Sequence, residues 1–196
     1  MIYKTKMIID THFDFYSDSN GRDPDSASPT LRKYHTLLWS KPLPNGQLFE
    51  LRDDIKGAYL YHKSKLGEFF LGSDAITHSY KNHQRKKWLI DQVPADVNEL
   101  FDTGSTIGSY IIFPNNQIDG KHTINQARGV NHLIDDRFDL TLECIRLFYS
   151  GKTSPLYDTF QRYEDFFDLF GGFVGYIRFF LLDDLLDENN AVIFYL

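Results

Sequence analysis

The sequence has a single cysteine, Cys144, and no hydrophobic run long enough to cross a membrane. One cysteine excludes an internal disulfide bond, and nothing in it argues for secretion. The most apolar stretch, residues 173–186, is short and contains three charged residues. The first residues also lack the basic, apolar and small-residue pattern of a signal peptide. The sequence therefore predicts a cytoplasmic protein with no membrane partner.

Complete catalytic and phosphate-binding motifs are also missing. The Gly-Lys-Thr at residues 151–153 has Arg146 where a phosphate loop requires glycine. The glycine-rich residues 171–175 follow a predicted helix instead of a strand, which excludes a dinucleotide-binding turn. His78 and His83 have no partners at a zinc-binding spacing, and no Gly-x-Ser-x-Gly element occurs. The sequence thus contains no diagnostic enzyme motif.

The composition is typical of one packed domain. Of 196 residues, 42% are hydrophobic and 16% aromatic, which favours an aromatic-rich core over disorder. The net charge is −6, with about +1 in residues 1–100 and about −7 in residues 101–196. This acidity disfavours generic binding to duplex nucleic acid. It fits a solubilising surface or a basic protein partner.

Hydrophobic periodicity and turn residues predict strands first and helices later. Strands are predicted at residues 7–16, 48–51, 58–62, 68–71, 109–114 and 191–196. Helices are predicted at 29–39, from 123, over a stripe from 138 to 149, from 154 to 170 and at 176–186, while 74–87 and 94–101 are compatible with shorter helices. We therefore predict a single α+β domain over residues 1–196. Its mostly antiparallel sheet, from residues 1–115, is packed by helices from residues 116–196.

An acidic cluster opens the chain. On the predicted strand, Asp10, His12 and Asp14 alternate and would share one face. With Asp25 they could supply oxygen ligands to Mg²⁺ or Mn²⁺. In this hypothesis Asp10, Asp14 and Asp25 bind the metal, Asp14 also acts in catalysis, and either His12 or His35 transfers protons. The alternative is that these acidic residues cap turns and the next helix.

Basic and polar residues further along suggest an anion site. Arg32 and His35 are neighbours on the predicted helix, and Lys41 follows its end, so they could bind a phosphate or carboxylate. Asn125 and Arg128 share a helix face that could line a pocket. The alternatives are an ion pair that ties the helix to the first loop and a solvated helix face.

Several strings are similar to an uncharacterised bacterial protein family that is known only as a domain of unknown function. They are residues 23–44, Tyr-Ile-Ile-Phe-Pro at 110–114, Thr-Ile-Asn-Gln-Ala-Arg-Gly at 123–129, residues 136–146 and Phe-Phe-Leu-Leu-Asp-Asp at 179–184. The resemblance spans nearly the whole chain. It implies a self-contained bacterial or phage-borne cytoplasmic domain and no particular activity. Its strings contain polar residues that we predict to meet in one pocket: Asp25, Arg32, Lys41, Asn125, Arg128, Arg137 and Asp139, with Asp14 nearby.

Three functions follow from these patterns. The leading hypothesis is a non-enzymatic accessory protein that binds a macromolecular partner or a small anionic ligand. The first alternative is a metal-dependent phosphoester hydrolase that uses the N-terminal Asp/His cluster. The second is a structural or oligomeric protein whose aromatic C-terminal helices form an interface.

Overall fold

A computed structural model describes residues 8–76 and 105–194 of the chain. These residues form seven α-helices, three 3-10 helices and two antiparallel sheets, so the predicted α+β class is confirmed. The prediction for 94–101 and most of that for 74–87 lie outside the described residues. Among the helices in the described part, none is both long enough and apolar enough to cross a bilayer.

The elements follow the predicted order in most of the chain. The helices are α1 (Pro24–Ala27), α2 (Pro29–Trp39), α3 (Ile124–Val130), α4 (Phe138–Tyr149), α5 (Tyr157–Gln161), α6 (Glu164–Asp168) and α7 (Phe173–Phe180). The strands are β1 (Lys41–Pro42), β2 (Leu48–Phe49), β3 (Leu60–Ser64), β4 (Gly67–Ala75) and β5 (Tyr110–Pro114), and the 3-10 helices are Phe15–Asp18, Ile107–Ser109 and Asp183–Leu185. The helix predicted at residues 29–39 and the strand at 109–114 are confirmed.

Strand β4 is the centre of the larger sheet. It pairs antiparallel with β3 on one side and β5 on the other, so Leu71 lies opposite Leu60 and Pro114. Two residues further along, Ser73 lies opposite Ile112. β5 is buried along its whole length, as expected for an apolar strand with covered faces. The last part of β4 therefore places the polar Ser73 in a buried position beside β5.

The aromatic residues build the core. In and near α5–α7, six phenylalanines are at most 4% exposed: Phe160, Phe166, Phe167, Phe170, Phe179 and Phe180. The Trp39 ring of α2 stacks on the Phe179 ring with centroids 6.1 Å apart. Such buried rings contribute large apolar areas from few residues. These six side chains belong to the core of the chain and are not surface anchors for an interface.

The predicted strand at residues 7–16 is wrong, because its described part forms turns and the first 3-10 helix. Here short acidic side chains accept hydrogen bonds from backbone amides that, in a strand, would bond to a neighbouring strand. Asp10 accepts from the amide of His12 and Asp14 from the amide of Tyr16, each at 2.9 Å. Local side-chain bonds of this kind compete with the backbone hydrogen bonds of a β-sheet. Asp10, His12 and Asp14 therefore do not line one face of a strand.

The capping signals in the second half are partly confirmed. Thr123 and Gln126 form the predicted capping box at the start of α3, and Gly151 follows the end of α4 with a φ of +66°. The single helix predicted from residue 154 to 170 is wrong. Two short helices, α5 and α6, replace it, and α5 begins without a side-chain cap. Adjacent Phe166 and Phe167 are both buried, which suits a broken helix better than one narrow apolar stripe.

The last elements are displaced from their predicted bounds. The helix predicted at residues 176–186 begins at Phe173 and ends at Phe180. It ends there because Leu181 adopts a left-handed conformation with a φ of +57°. Val192 forms one antiparallel bridge with Leu186. In the described part of the chain, the predicted terminal strand is thus reduced to a bridge that does not join the main sheet.

Candidate functional site

Helix α2 is fixed by its first turn. The Ser28 hydroxyl accepts from the amide of Leu31 at 3.0 Å, and Pro29 occupies the first helical position. Asp18 lies beside this turn, where its carboxylate accepts from the Ser28 hydroxyl and from the amide of Thr30. A carboxylate at a helix N-terminus is favoured by the exposed amides there. The start of the helix therefore determines where its later polar residues point.

Four side chains form a continuous hydrogen-bonded chain from α2 through β4 to α1. The indole Nε1 of Trp39 donates to Nδ1 of His35 at 3.1 Å. His35 Nε2 lies 3.1 Å from the Ser73 hydroxyl. The Ser73 hydroxyl donates to Asp25 Oδ1 at 2.9 Å. Because His35 and Ser73 are both buried, this chain links the core to the carboxyl group of Asp25.

The chemistry of the first donor fixes the direction of every bond. An indole N–H only donates, so Nδ1 of His35 must accept and carry no proton. A neutral imidazole then has its proton on Nε2, which donates to the Ser73 oxygen. The Ser73 hydroxyl in turn donates to Asp25. This order differs from a Ser-His-Asp triad, in which histidine accepts the serine proton, so the arrangement does not activate Ser73 as a nucleophile.

The charge states agree with this direction. Burial lowers the pKa of His35 to about 3, so the ring is neutral at pH 7. Burial also raises the pKa of Asp25 to about 6, and the nearby charge of Asp23 adds to the effect, while the Ser73 hydrogen bond acts against it. Asp25 therefore changes charge close to neutral pH, while His35 stays uncharged.

Asp25 lies at the wall of a cleft of about 620 Å³, which we call the Asp25 cleft. Its polar and aromatic lining includes Asp25, Arg32, Lys56, Tyr59, Ser73 and Asn115. Gly72 gives Asn115 room, because a Cβ atom at Gly72 would lie 2.8 Å from the Asn115 Cγ. A volume in this range is typical of small-molecule sites.

Arg32 is the cation of this cleft that is best held in place. Its guanidinium carbon lies 4.7 Å from the centroid of the Tyr59 ring, a cation–π contact. Asp53 and Asp54 line the same cleft, but Asp54 pairs with Arg52 at 3.0 Å. In the described ranges, Arg32 makes no ion pair. The aromatic ring thus orients a guanidinium whose donor groups are not taken by a carboxylate there.

A second polar group lies beside β4 and adjoins the cleft without lining it. Arg128 is fully buried and forms an ion pair with Asp74. Its Nε donates to Thr141 at 2.9 Å, and its Nη2 donates to the carbonyl of Asp136 at 3.0 Å. Burial lowers the pKa of Arg128. Asn125 binds the β4 backbone nearby, where it donates to the carbonyl of Ser73 at 3.1 Å.

The structure brings only some of the predicted site residues together. Asp25 and Arg32 both line the cleft, and His35 lies behind it. Asn125 and Arg128 contact the same segment of β4 but do not line the cleft. These residues therefore do not share one pocket as predicted. They form a cleft and, next to it, a separate buried polar group.

The other predicted residues lie elsewhere. Asp10 and Asp14 are exposed turn residues. Lys41 places its Nζ 4.9 Å from the ring centroid of Trp39 and 4.7 Å from that of Phe179. Within residues 8–76 and 105–194, no three histidine, cysteine or acidic side chains are grouped as metal ligands. Asp10, Asp14 and Asp25 thus do not converge as the predicted Mg²⁺ or Mn²⁺ site.

Sequence reasoning missed Ser73, Asp74 and Tyr59. The strand predicted at 68–71 stopped before the polar residues, although β4 continues to Ala75. Alternation of apolar residues at 69 and 71 would have placed Ser73 on the same face. No local signal indicates Tyr59, because its role depends on contact with Arg32, which is 27 positions earlier in the chain.

Comparisons with known proteins identify the family only. No curated protein and no solved structure matches this chain. A family model matches residues 9–196, which confirms the predicted resemblance to a domain of unknown function. The chain therefore belongs to the family described as "Family of unknown function (DUF6994)".

Proposed function

We propose that this protein is a non-enzymatic binding protein and that its Asp25 cleft binds a small ligand with an anionic group. The observation that carries the proposal is the position of Arg32. Its guanidinium is stacked on Tyr59 at the cleft and makes no ion pair in the described part of the chain. Guanidinium groups bind carboxylates and phosphates through paired N–H donors. Lys56 lines the same cleft and adds a second cation.

The remaining lining specifies the rest of the ligand. Asp25 and Asn115 offer oxygen acceptors beside the two cations. A ligand that satisfies them has N–H or O–H donors some distance from its anionic group, as in phosphorylated sugars, nucleotides or amino acids. A simple divalent anion would leave these acceptors unused. The cleft therefore favours a polar ligand with both kinds of group.

The proposal retains the wider setting predicted by the sequence. We place the protein in the cytoplasm of a bacterium or phage-infected cell, and a macromolecular partner remains part of the proposed accessory role. The uninterrupted donor chain from Trp39 to Asp25 supports binding over nucleophilic catalysis, because it directs the Ser73 proton away from His35.

Thermal melting with a ligand panel tests the cleft. The probes are inorganic phosphate, ribose 5-phosphate, AMP and glutamate, with Arg32→Gln and the matched variant Lys33→Gln, which removes the same charge from an exposed position of α2. A ligand at a hundred times its dissociation constant adds about 2.7 kcal/mol to the free energy of unfolding. We expect at least one organic probe to raise the melting temperature of the wild type and of Lys33→Gln but not of Arg32→Gln.

Two outcomes would contradict this function. If no probe shifts the wild-type melting temperature, the cleft does not bind this ligand class. If Arg32→Gln retains the full shift, the ligand binds elsewhere. Calorimetric titration of the same three proteins measures the dissociation constants directly.

A further inference from the structure

A second cleft, of about 760 Å³, lies on the helical side of the molecule, and we call it the His132 cleft. It is bounded by the loop before α3, by the end of α3 and by α5. Four of its lining residues are basic: Lys121, His122, His132 and Arg162. None of the residues that line it is acidic. This contrasts with the half of the chain that contains it, which has a net charge of about −7.

Arg162 is held in this cleft by backbone groups. Its Nη1 donates to the carbonyl of Asp158 at 2.8 Å, and its Nη2 donates to the carbonyl of His122 at 2.9 Å. Neutral carbonyls orient a guanidinium without cancelling its charge. Within the described ranges, Arg162 has no carboxylate partner. The cleft therefore holds an oriented positive charge that an anionic group can neutralise.

Aliphatic side chains accompany these basic residues. Val130 is 66% exposed and Leu133 is 58% exposed, and both line the cleft. Single exposed aliphatic residues are ordinary on a protein surface. Two of them in one concave site, beside four basic residues, provide apolar contact and charge together. A phosphate ion would use the charges but not the apolar contacts.

The framework of the cleft is already formed. Asn131 donates from Nδ2 to the carbonyl of Pro155 at 3.2 Å, and its Oδ1 accepts from the amide of Leu133 at 3.0 Å. One side chain thus ties the end of α3 to the loop before α5 and fixes the start of the following turn. A preformed site loses less entropy on binding than one that must be ordered.

We propose that the His132 cleft binds a short acidic peptide segment of a protein partner, in which apolar side chains lie between acidic ones. Its basic residues come from three separate segments of the chain, around residues 121, 132 and 162. One compact anion contacts a single basic group. An extended peptide rises about 3.3 Å per residue, so its side chains reach several of these groups. The acidic side chains face the basic residues, and the apolar ones cover Val130 and Leu133. This site is independent of the Asp25 cleft.

Fluorescence anisotropy with a labelled peptide, Asp-Glu-Leu-Phe-Asp-Glu, tests this proposal. Two control peptides replace the Leu-Phe pair with Ser-Ser or the four acids with lysine. We expect the first peptide to bind the wild type, and Lys121→Gln, Arg162→Gln and Leu133→Ser each to weaken that binding about fivefold to tenfold. Lys152→Gln, an exposed charge change outside the cleft, and Arg32→Gln in the other cleft leave the affinity unchanged.

Three results would overturn the proposal. The first is equal binding of the Ser-Ser control, which shows that the apolar contacts are not used. The second is complete displacement of the peptide by millimolar inorganic phosphate, which identifies a small-anion site. The third is loss of binding in Arg162→Gln alone, with Lys121→Gln and Leu133→Ser unaffected. Arg162 also bonds to the backbone, so its loss alone would reflect a disturbed fold and not contact with the peptide. The exposed positions Lys121 and Leu133 avoid that ambiguity.

Discussion

The indole of Trp39 donates to Nδ1 of His35, one helical turn earlier in α2, at 3.1 Å. This bond determines the tautomer of a fully buried imidazole and, through it, the direction of the bonds that end at Asp25. The relationship joins a core aromatic residue to a carboxyl group at the cleft. The spacing of four residues on a helix allows Trp39 and His35 to meet, but it does not by itself show that they form a hydrogen bond.

We expect ¹⁵N NMR of the wild type at pH 7 to show His35 protonated on Nε2 only. Trp39→Phe removes the donor, so Nδ1 is left unpaired in the core. An unsatisfied buried group costs about 1–3 kcal/mol of stability. Urea unfolding measures this loss, and the exposed His12 provides a reference signal in the spectrum. A wild-type His35 protonated on Nδ1 would show that the inferred bond direction is wrong.

Asp25→Asn should make the protein more stable above pH 6. The folded-state pKa of Asp25 is raised to about 6, so the folded protein binds more protons than the unfolded chain from about pH 4 to pH 6. The contribution of Asp25 to stability is therefore present in acid and is lost as the pH rises through 6. Asparagine retains the acceptor for Ser73 without the buried charge, and the expected gain is on the order of 2 kcal/mol at pH 8.

His35 has the opposite effect on stability over nearly the same pH range. Its folded-state pKa is lowered to about 3, so stability falls as the pH decreases below about 6.5, where the unfolded chain gains a proton. The two contributions offset each other near pH 5. In Asp25→Asn only the effect of His35 remains. The extra stability of this variant relative to the wild type should therefore shrink to near zero at pH 4, where Asp25 of the folded wild type is protonated. Urea unfolding from pH 3 to 8 measures this difference, with the exposed Asp53→Asn as the control. A constant difference across that range would contradict the assignment.

The buried pair of Arg128 and Asp74 gives a third prediction. Arg128→Met leaves the largely buried carboxylate of Asp74 without its partner, and breaking a buried pair costs about 3–5 kcal/mol. The double variant Arg128→Met/Asp74→Asn should lose less than Arg128→Met alone, because no charge is then stranded. Denaturant unfolding of the single and double variants gives the coupling energy.

The exposed pair of Arg52 and Asp54 is the control for that cycle. Arg52→Met should change the free energy of unfolding far less than Arg128→Met does, since a surface pair is solvated and screened. Equal losses for Arg128→Met and Arg52→Met would show that burial does not distinguish the two pairs.

Two helical glycines should respond in opposite ways to alanine. A Cβ atom at Gly175 in α7 would collide with the backbone carbonyl of Phe170, whereas one at Gly129 in α3 meets open space. Gly175→Ala should therefore destabilise the fold by about 1–3 kcal/mol. Gly129→Ala should stabilise it by about 0.5–1 kcal/mol, because alanine has less backbone freedom to lose. Thermal melting compares the two, and a loss of stability in Gly129→Ala would contradict the open surroundings of that site.

Local signals predicted much of this fold. Ser28 and Pro29 identified the start of α2, and Thr123 with Gln126 identified α3, because caps act between neighbours in the sequence. The apolar strand at residues 110–114 was equally clear. These elements do not depend on distant contacts, which explains why pattern and spacing were sufficient.

The site itself was harder to predict because it depends on long-range contacts. Asp25 and Ser73 are 48 positions apart, and Arg128 and Asp74 are 54 apart. Asp25 and Arg32 were found from their residue types, but no spacing indicates their partners on β4. The opening acidic segment was misread because alternation suggested a strand, whereas its carboxylates bind local amides.

The metal-dependent hydrolase hypothesis leads to the last prediction. The carboxylate of Asp14 already accepts a hydrogen bond from the amide of Tyr16. In the described part of the chain, Asp14 and Asp25 are not grouped as metal ligands. We therefore expect Mg²⁺ and Mn²⁺ to shift the melting temperature of the wild type and of Asp14→Asn equally, relative to EDTA. The matched control is Asp187→Asn, since Asp187 is another exposed carboxylate that accepts local amides. A selective stabilisation by Mn²⁺ that Asp14→Asn abolishes and Asp187→Asn retains would contradict this expectation. It would establish a metal site at the opening segment and justify a screen for phosphoester hydrolysis.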